Sequence, residues 1–315
     1  MRRDSIEKVL LIGLTAVAAA GTMHCHSLAF PPGDLINPLG VGALLAGAAW
    51  YYRRSGADTF VLCLTALLHV TLYTACYSVL MYAVGAVGRP FVDDWLVASD
   101  RFFGVHVPSI KAWADGHPDV RTGLQWAYNS LLWQTPLLII VLGFSGDRLR
   151  LEGFVRAFML STLACVVIFA LWPAQGPFAA FGYSPNATQA RYLEHLQGLR
   201  DGTRTVISWR GAEGLITFPS FHTCWAILLA WGSRRQRWLC VPVAILNGAV
   251  ILSTLTTGWH YFTDVLGGIA AAGLAIGVSA AWVRSNENAA VGIGHEAAPE
   301  RWLSGGPLLE HSTGA

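Results

Sequence analysis

The sequence predicts an all-α fold, a polytopic transmembrane helical bundle of about eight spans of roughly 20 residues each. Three observations predict it. The composition is 54% hydrophobic and only 13% charged, about half the charged share of a soluble domain, so lipid is the main solvent. The apolar residues fall in runs of about 20, the length at which an α-helix crosses a bilayer. Lysine and arginine then gather on one side of the layout that those runs define. A net charge of +2 gives no polyanion-binding surface, so nucleic acid is not expected as a partner.

The first span, 9–28, follows a basic start and continues with no convincing cleavage site, so it reads as a membrane helix and not as a signal peptide. The second, 35–52, is the weakest, being short and rich in Gly and Ala; the third is 60–84. A long outward segment follows, 89–119, in which Phe91, Val92, Trp95, Leu96, Phe102, Phe103, Ile110 and Trp113 recur beside charged residues. That pattern suits a helix lying in the interface, with the acidic residues forming a solvated face, the favoured reading, or part of a binding groove. Spans 124–144 and 154–172 come next, then a second long outward segment, 173–213, and finally spans 214–231, 238–257 and 262–283. Trp50, Tyr51, Trp172 and Trp231 stand at the ends of apolar runs, where amphipathic rings prefer the headgroup zone.

With the N-terminus inside, the cytoplasmic segments hold Arg2, Arg3 and Lys8; Arg53 and Arg54; Arg148, Arg150 and Arg156; Arg234, Arg235 and Arg237; and Arg284. The short outward connections after the first and seventh spans hold none. Both termini are therefore expected in the cytoplasm, with 286–315 a disordered tail rich in Gly, Ala and Pro. The cysteines Cys25, Cys63, Cys76, Cys165, Cys224 and Cys240 lie in apolar stretches without a CxxC pair and read as small hydrophobes. Met23-His24-Cys25-His26 has soft metal ligands but no second ligand group nearby, so no metal is expected there.

The chemistry concentrates at two helix starts on the outward face. Phe218-Pro219-Ser220-Phe221-His222 opens the sixth span and His260-Tyr261-Phe262-Thr263-Asp264 opens the eighth. Ionisable residues at membrane depth cost roughly 2.5–3.5 kcal/mol each, so two histidines and an aspartate at matching depth call for a function. His260 and Asp264 are four apart, on one helical face, and a carboxylate there can orient the imidazole and leave its other nitrogen free as a nucleophile. His222, from another helix, can protonate a leaving oxygen. Ser220 is placed to cap its helix, whose N-terminus favours a phosphate. The segment before it carries Arg191, Arg200, Arg204 and Arg210 against Glu194, Asp201 and Glu213; guanidinium groups match phosphoryl oxygens.

At these residues the chain resembles the type 2 phosphatidic acid phosphatase (PAP2) superfamily, and more closely its inositolphosphotransferase and sphingolipid-synthase branch. Pro219-Ser220-Phe221-His222 is similar to the superfamily's Pro-Ser-Gly-His motif. Ser253, Thr254, His260 and Asp264 follow its Ser-Arg, five residues, His, three residues, Asp motif. Phe221 stands in place of Gly, Thr254 in place of the phosphate-binding Arg, and no first motif of Lys, six residues and Arg-Pro is present. The branch is suggested by Pro-Ser-Phe-His, by His-Tyr-x-x-Asp-x-x-Gly-Gly and by Leu199-Arg200-Asp201-Gly202.

The resemblance implies a six-helix PAP2-like core, His260 as the residue that becomes phosphorylated, Asp264 as its orienter and His222 as general acid, all catalytic. Ser220, Arg200, Arg204 and Arg210 are the substrate-binding candidates, Arg200 being the preferred substitute for the missing phosphate ligands. The expected organisation is 1–88 as N-terminal transmembrane helices, 89–285 as the catalytic region with its interfacial helix, and 286–315 as the tail. The expected activity is that of a membrane lipid phosphatase or phosphotransferase at the periplasmic or luminal face of a plasma or inner membrane. Its substrate is a phospholipid or other lipid phosphate, with no cofactor, no metal and no obligatory protein partner. A transporter or flippase, or a non-catalytic lipid-binding relative, are the alternatives.

Overall fold

The structure, a computed structural model, describes residues 2–296. Among them are twelve α-helices and no strands, as the fold class requires. In chain order they are α1 (Arg2–Cys25), α2 (Ile36–Arg54), α3 (Asp58–Gly85), α4 (Asp93–Phe102), α5 (Val107–Asp115), α6 (Pro118–Phe144), α7 (Arg148–Leu171), α8 (Pro177–Ala180), α9 (Ala187–Asp201), α10 (Phe221–Ser233), α11 (Cys240–Thr256) and α12 (Phe262–Glu296).

Every expected span has its helix, but five are long and apolar enough to cross a membrane: α1, α3, α6, α7 and α12. The sixth span departs most from expectation. Its apolar run begins at 214, yet the helix begins at Phe221, because Pro219 and the Ser220 cap start it there; the 13-residue helix reaches only about 20 Å. The stretch before it is irregular and buried, with Leu215, Thr217 and Ser220 at or near zero exposure. Irregular backbone at this depth is tolerated where protein surrounds it or where it lines a cavity. α12 runs through 286 to Glu296 in helical geometry, eleven residues into the stretch expected to be disordered, where Ala289 and Ala290 favour helix. The remainder of that tail, 297–315, lies outside the described residues.

α3 is the central pillar, packed against α1, α2, α6 and α7. Its Tyr73, Leu80 and Tyr82 are buried, and Tyr73 donates to the Met159 carbonyl of α7 at 2.6 Å. The outer faces of α1, α2, α6, α11 and α12 carry exposed Leu10, Leu44, Leu132, Ile245 and Leu274. A belt of this kind is stable only against lipid or another apolar surface.

The connections sort to two ends. At one end Ala29 bridges Val206, the Val92 amide donates to Pro173 at 2.9 Å, and the Phe262 amide donates to Asp100 at 2.9 Å, so all four connections expected outside meet there. At the other end Phe60 stacks on Tyr52 and meets Phe144 edge-on, while Lys8 pairs with Glu152 and Arg156 with Glu7. Lys8 and Arg156, counted among the cytoplasmic positive charges, are thus buried in ion pairs joining α1 to α7.

The interfacial segment folds as two short helices, α4 and α5, with Trp95, Phe102 and Trp113 exposed and Phe102 84% accessible. The expectation of a solvated acidic face fails for two of its residues. Asp100 is 3% exposed and receives the Phe262 and Thr263 amides and the Thr263 hydroxyl, while Asp93 receives the Gln175 and Gly176 amides. These carboxylates satisfy orphan donors at a helix start and in a tight loop, a role that charge pattern alone does not signal.

Candidate active site

His260 sits in the irregular link between α11 and α12. Gly258, at φ +71°, turns the chain out of α11, a left-handed conformation that favours glycine. Trp259 then anchors the link against Phe178 and Tyr192, with ring centroids 5.5 and 5.7 Å away. On the far side Tyr261 is fully buried, its hydroxyl donating to Asp93 at 2.9 Å. Burial, followed by the Asp93 charge, pushes that phenol well up from its ordinary range. The histidine between these anchors has little freedom to move, and its amide donates to the Thr254 carbonyl at 3.3 Å.

The His260 ring is 2% exposed. Its Nδ1 lies 2.9 Å from the Thr217 carbonyl oxygen and 3.2 Å from Oδ2 of Asp264. A carbonyl only accepts, so Nδ1 carries the proton and Nε2 holds a free lone pair. Burial holds the imidazole down at about 4, against the opposing pull of the Thr217 hydrogen bond. The ring is therefore neutral near pH 7. Asp264 is fully buried and accepts from the Tyr261 amide at 2.9 Å, while its Oδ1 has no partner.

His222 lies in the first turn of α10, with its ring centroid 5.9 Å from that of His260. It stacks on Tyr128 of α6 at 4.3 Å. Small residues bring the two helix starts together. A Cβ at Gly267 would stand 2.9 Å from the Cβ of Pro219, and one at Gly268 would collide with the Ser220 carbonyl. The Ser220 amide in turn donates to the Asp264 carbonyl at 2.9 Å, tying the starts of α10 and α12 together.

Both histidines line a cavity of about 460 Å³ with Gln125, Tyr128, Asn129, Asn186, Glu213, Thr217 and Trp259. An outer cleft of about 560 Å³ shares Gln125, Asn129 and Asn186 with it and adds Lys111, Asp115 and Arg121. Asp115 accepts from Lys111 at 2.5 Å and meets Arg121 at 3.4 Å. The Lys111 hydrogen bond holds its carboxyl below the usual range. Two cations share one carboxylate, which leaves the cleft net positive.

The residues expected to bind phosphate lie elsewhere. Ser220 is fully buried and its Oγ accepts from the Thr223 amide at 3.3 Å, so it caps α10 and is absent from the cavity lining. Arg200 donates to the Arg89 carbonyl and lies over the Phe91 ring at 3.8 Å. Arg204 is beside the Tyr82–His195 pair, and Arg210 reaches toward Asp34 at 3.8 Å with 91% of its side chain exposed. Among the lining residues described, none of these arginines occurs. Thr254 is fully buried, its hydroxyl donating to Ile251 at 2.7 Å.

The Thr217 carbonyl was invisible to sequence reasoning, since backbone groups carry no residue signature. Lys111 lies within the stretch read as an interfacial helix and Arg121 between that stretch and the span 124–144, and neither carries a motif that marks it. A sequence model of the PAP2 superfamily matches residues 94–278, more than half of the chain, and that stretch holds α4 from Asp94 onward, both histidines, Asp264 and the whole cavity lining except Tyr77 and Met81. No curated protein and no solved structure matches. The chain belongs to the PAP2 superfamily.

Proposed function

We propose that the protein is a membrane lipid phosphatase or lipid phosphotransferase working through a phosphohistidine on His260, at the face where the outward connections gather. Superfamily membership supports phosphatase-type chemistry. The observation that carries the mechanism is the 2.9 Å contact of His260 Nδ1 with the Thr217 carbonyl, which leaves Nε2 as the nucleophile.

Nε2 attacks phosphorus, the phosphorus–oxygen bond to the leaving group breaks, and His222 delivers the proton that oxygen needs. A bound phosphoryl anion supplies the countercharge for an imidazolium at His222. The first-turn amides of α10 and the net positive cleft at Lys111 and Arg121 are the available stabilisers of phosphoryl charge. In the second step water, or the hydroxyl of a lipid or polyol, takes the phosphoryl group from His260 and gives its proton to the now neutral His222. No step calls for a metal ion. The arginines lying away from the cavity favour one second reading, a lipid-binding relative that does not turn over.

Detergent-solubilised protein should release or transfer phosphate from a phospholipid in the presence of chelator. His260→Ala should abolish this while leaving the protein monodisperse. Activity in His260→Ala equal to that of wild type would overturn the mechanism, and no turnover with binding retained in the wild type would favour the second reading.

A further inference from the structure

An apolar cavity of about 440 Å³ lies between α2, α3, α6 and α10, within the roughly 300–1,000 Å³ range of ligand sites. Its walls include Leu67, Val70, Leu132, Ile139 and Trp225. The polar lining groups are largely turned to one another: Trp225 Nε1 donates to Thr135 Oγ1 at 2.7 Å, and Trp209 Nε1 to Ser78 Oγ at 2.8 Å. Asp34 fixes Trp209 over this region by accepting from its amide at 3.0 Å and from the Ser208 hydroxyl at 2.6 Å.

Tyr77 and Phe221 line this cavity and also the histidine cavity. Phe221 is stacked on Trp225 at 5.5 Å and meets Tyr77 at 6.0 Å and Phe158 at 6.1 Å. An aromatic wall therefore separates a polar chamber holding His222 and His260 from an apolar one whose lining has no charged residue. α2 and α3, which close the apolar side, precede the region matched by the superfamily.

We infer that the apolar cavity receives one hydrocarbon chain of the phospholipid substrate, and that Phe221 and Tyr77 form the threshold between that chain and the phosphoryl group at His260. The occupant is argued from continuity: a molecule whose phosphate reaches Nε2 and whose tail avoids water has an apolar compartment directly beside the reacting atoms. The inference rests on the lipid-phosphate reading of the site.

Thr74→Trp and Ile139→Trp fill the cavity without touching the polar chamber. Each is compared with wild type on a long-chain phosphatidic acid and on its four-carbon-chain analogue, in the same detergent. The expected result is a KM for the long-chain lipid raised tenfold or more, with kcat/KM for the short-chain analogue within twofold of wild type. Equal sensitivity of the two substrates, or none, overturns the inference and leaves the catalytic reading intact. A wild-type protein that turns over neither substrate overturns the catalytic reading, and the inference falls with it. Should both variants fail to fold, wild type is crosslinked with a phospholipid bearing a photoreactive tail. Labelling on the peptides containing Leu67 to Ser78 or Leu132 to Ile139 supports the site, and labelling confined to α1 and α12 overturns it.

Discussion

His260 donates from Nδ1 to the Thr217 carbonyl at 2.9 Å, and the longer 3.2 Å approach to Asp264 adds a second acceptor. The tautomer is therefore fixed by backbone geometry, with the carboxylate as reinforcement and, in the proposed mechanism, as countercharge to a phosphorylated ring. Because burial holds this imidazole at about 4, it stays neutral through the range in which a free histidine, near 6.5, takes up its proton. The sign follows for stability as well: between 6.5 and 4 the unfolded chain binds a proton that the folded chain does not, so stability declines as pH falls through that window. For a phosphodiester, whose own charge is constant there, the loss of kcat/KM caused by protonating His260 should set in only as pH approaches 4. An acid limb centred near 6.5 would mean that the ring is hydrated like a free imidazole. His260 and Asp264 were legible from their spacing and His222 from its motif, while Thr217 contributes a group every residue possesses. The arginines at 200, 204 and 210 were misplaced because a basic balance in a long loop says nothing of where each side chain goes; Arg200 lies on Phe91 instead.

α10 and α12 meet through glycine, and that contact sets the spacing of the two histidines. A side chain at Gly268 would press on the Ser220 carbonyl at the start of α10, whereas Gly273, further along α12, has open space around its Cβ position. Gly268→Val should lower kcat about 100-fold or more, the loss expected for displacing reacting groups by an ångström, and should lower the melting midpoint through overpacking of about 1–3 kcal/mol. Gly273→Val should stay within twofold in kcat. Equal behaviour of the two variants would show that the helix contact does not govern the site. Hydropathy placed the start of α10 too early because Leu215, Ile216 and Phe218 extend the apolar run, but the local signals of Pro219 and Ser220 prevailed. Asp93 and Asp100 were hidden for the opposite reason, since an acidic residue on an amphipathic helix reads as solvated until the loop that buries it is known.

Across the molecule, the sorting of connections that charge predicted recurs as two ends, one gathering the segments around the site and the other joining α1 to α7 through buried ion pairs. The five helices long and apolar enough to cross a membrane were legible as apolar runs, because a lipid-facing helix must be apolar over its length whatever its neighbours do. The two adjoining compartments, polar around the histidines and apolar between α2, α3, α6 and α10, arise from contacts among helices distant in sequence and could not be read from any one run. In the proposed mechanism Nε2 of His260 is the atom that takes phosphorus. The direct test is to quench the solubilised protein during turnover of a phosphorus-labelled lipid and identify the bond by phosphorus NMR and mass spectrometry under alkaline conditions. Acid-labile phosphate on His260 attached at Nε2 is the expected result; phosphate at Nδ1, on another residue, or on none contradicts the mechanism.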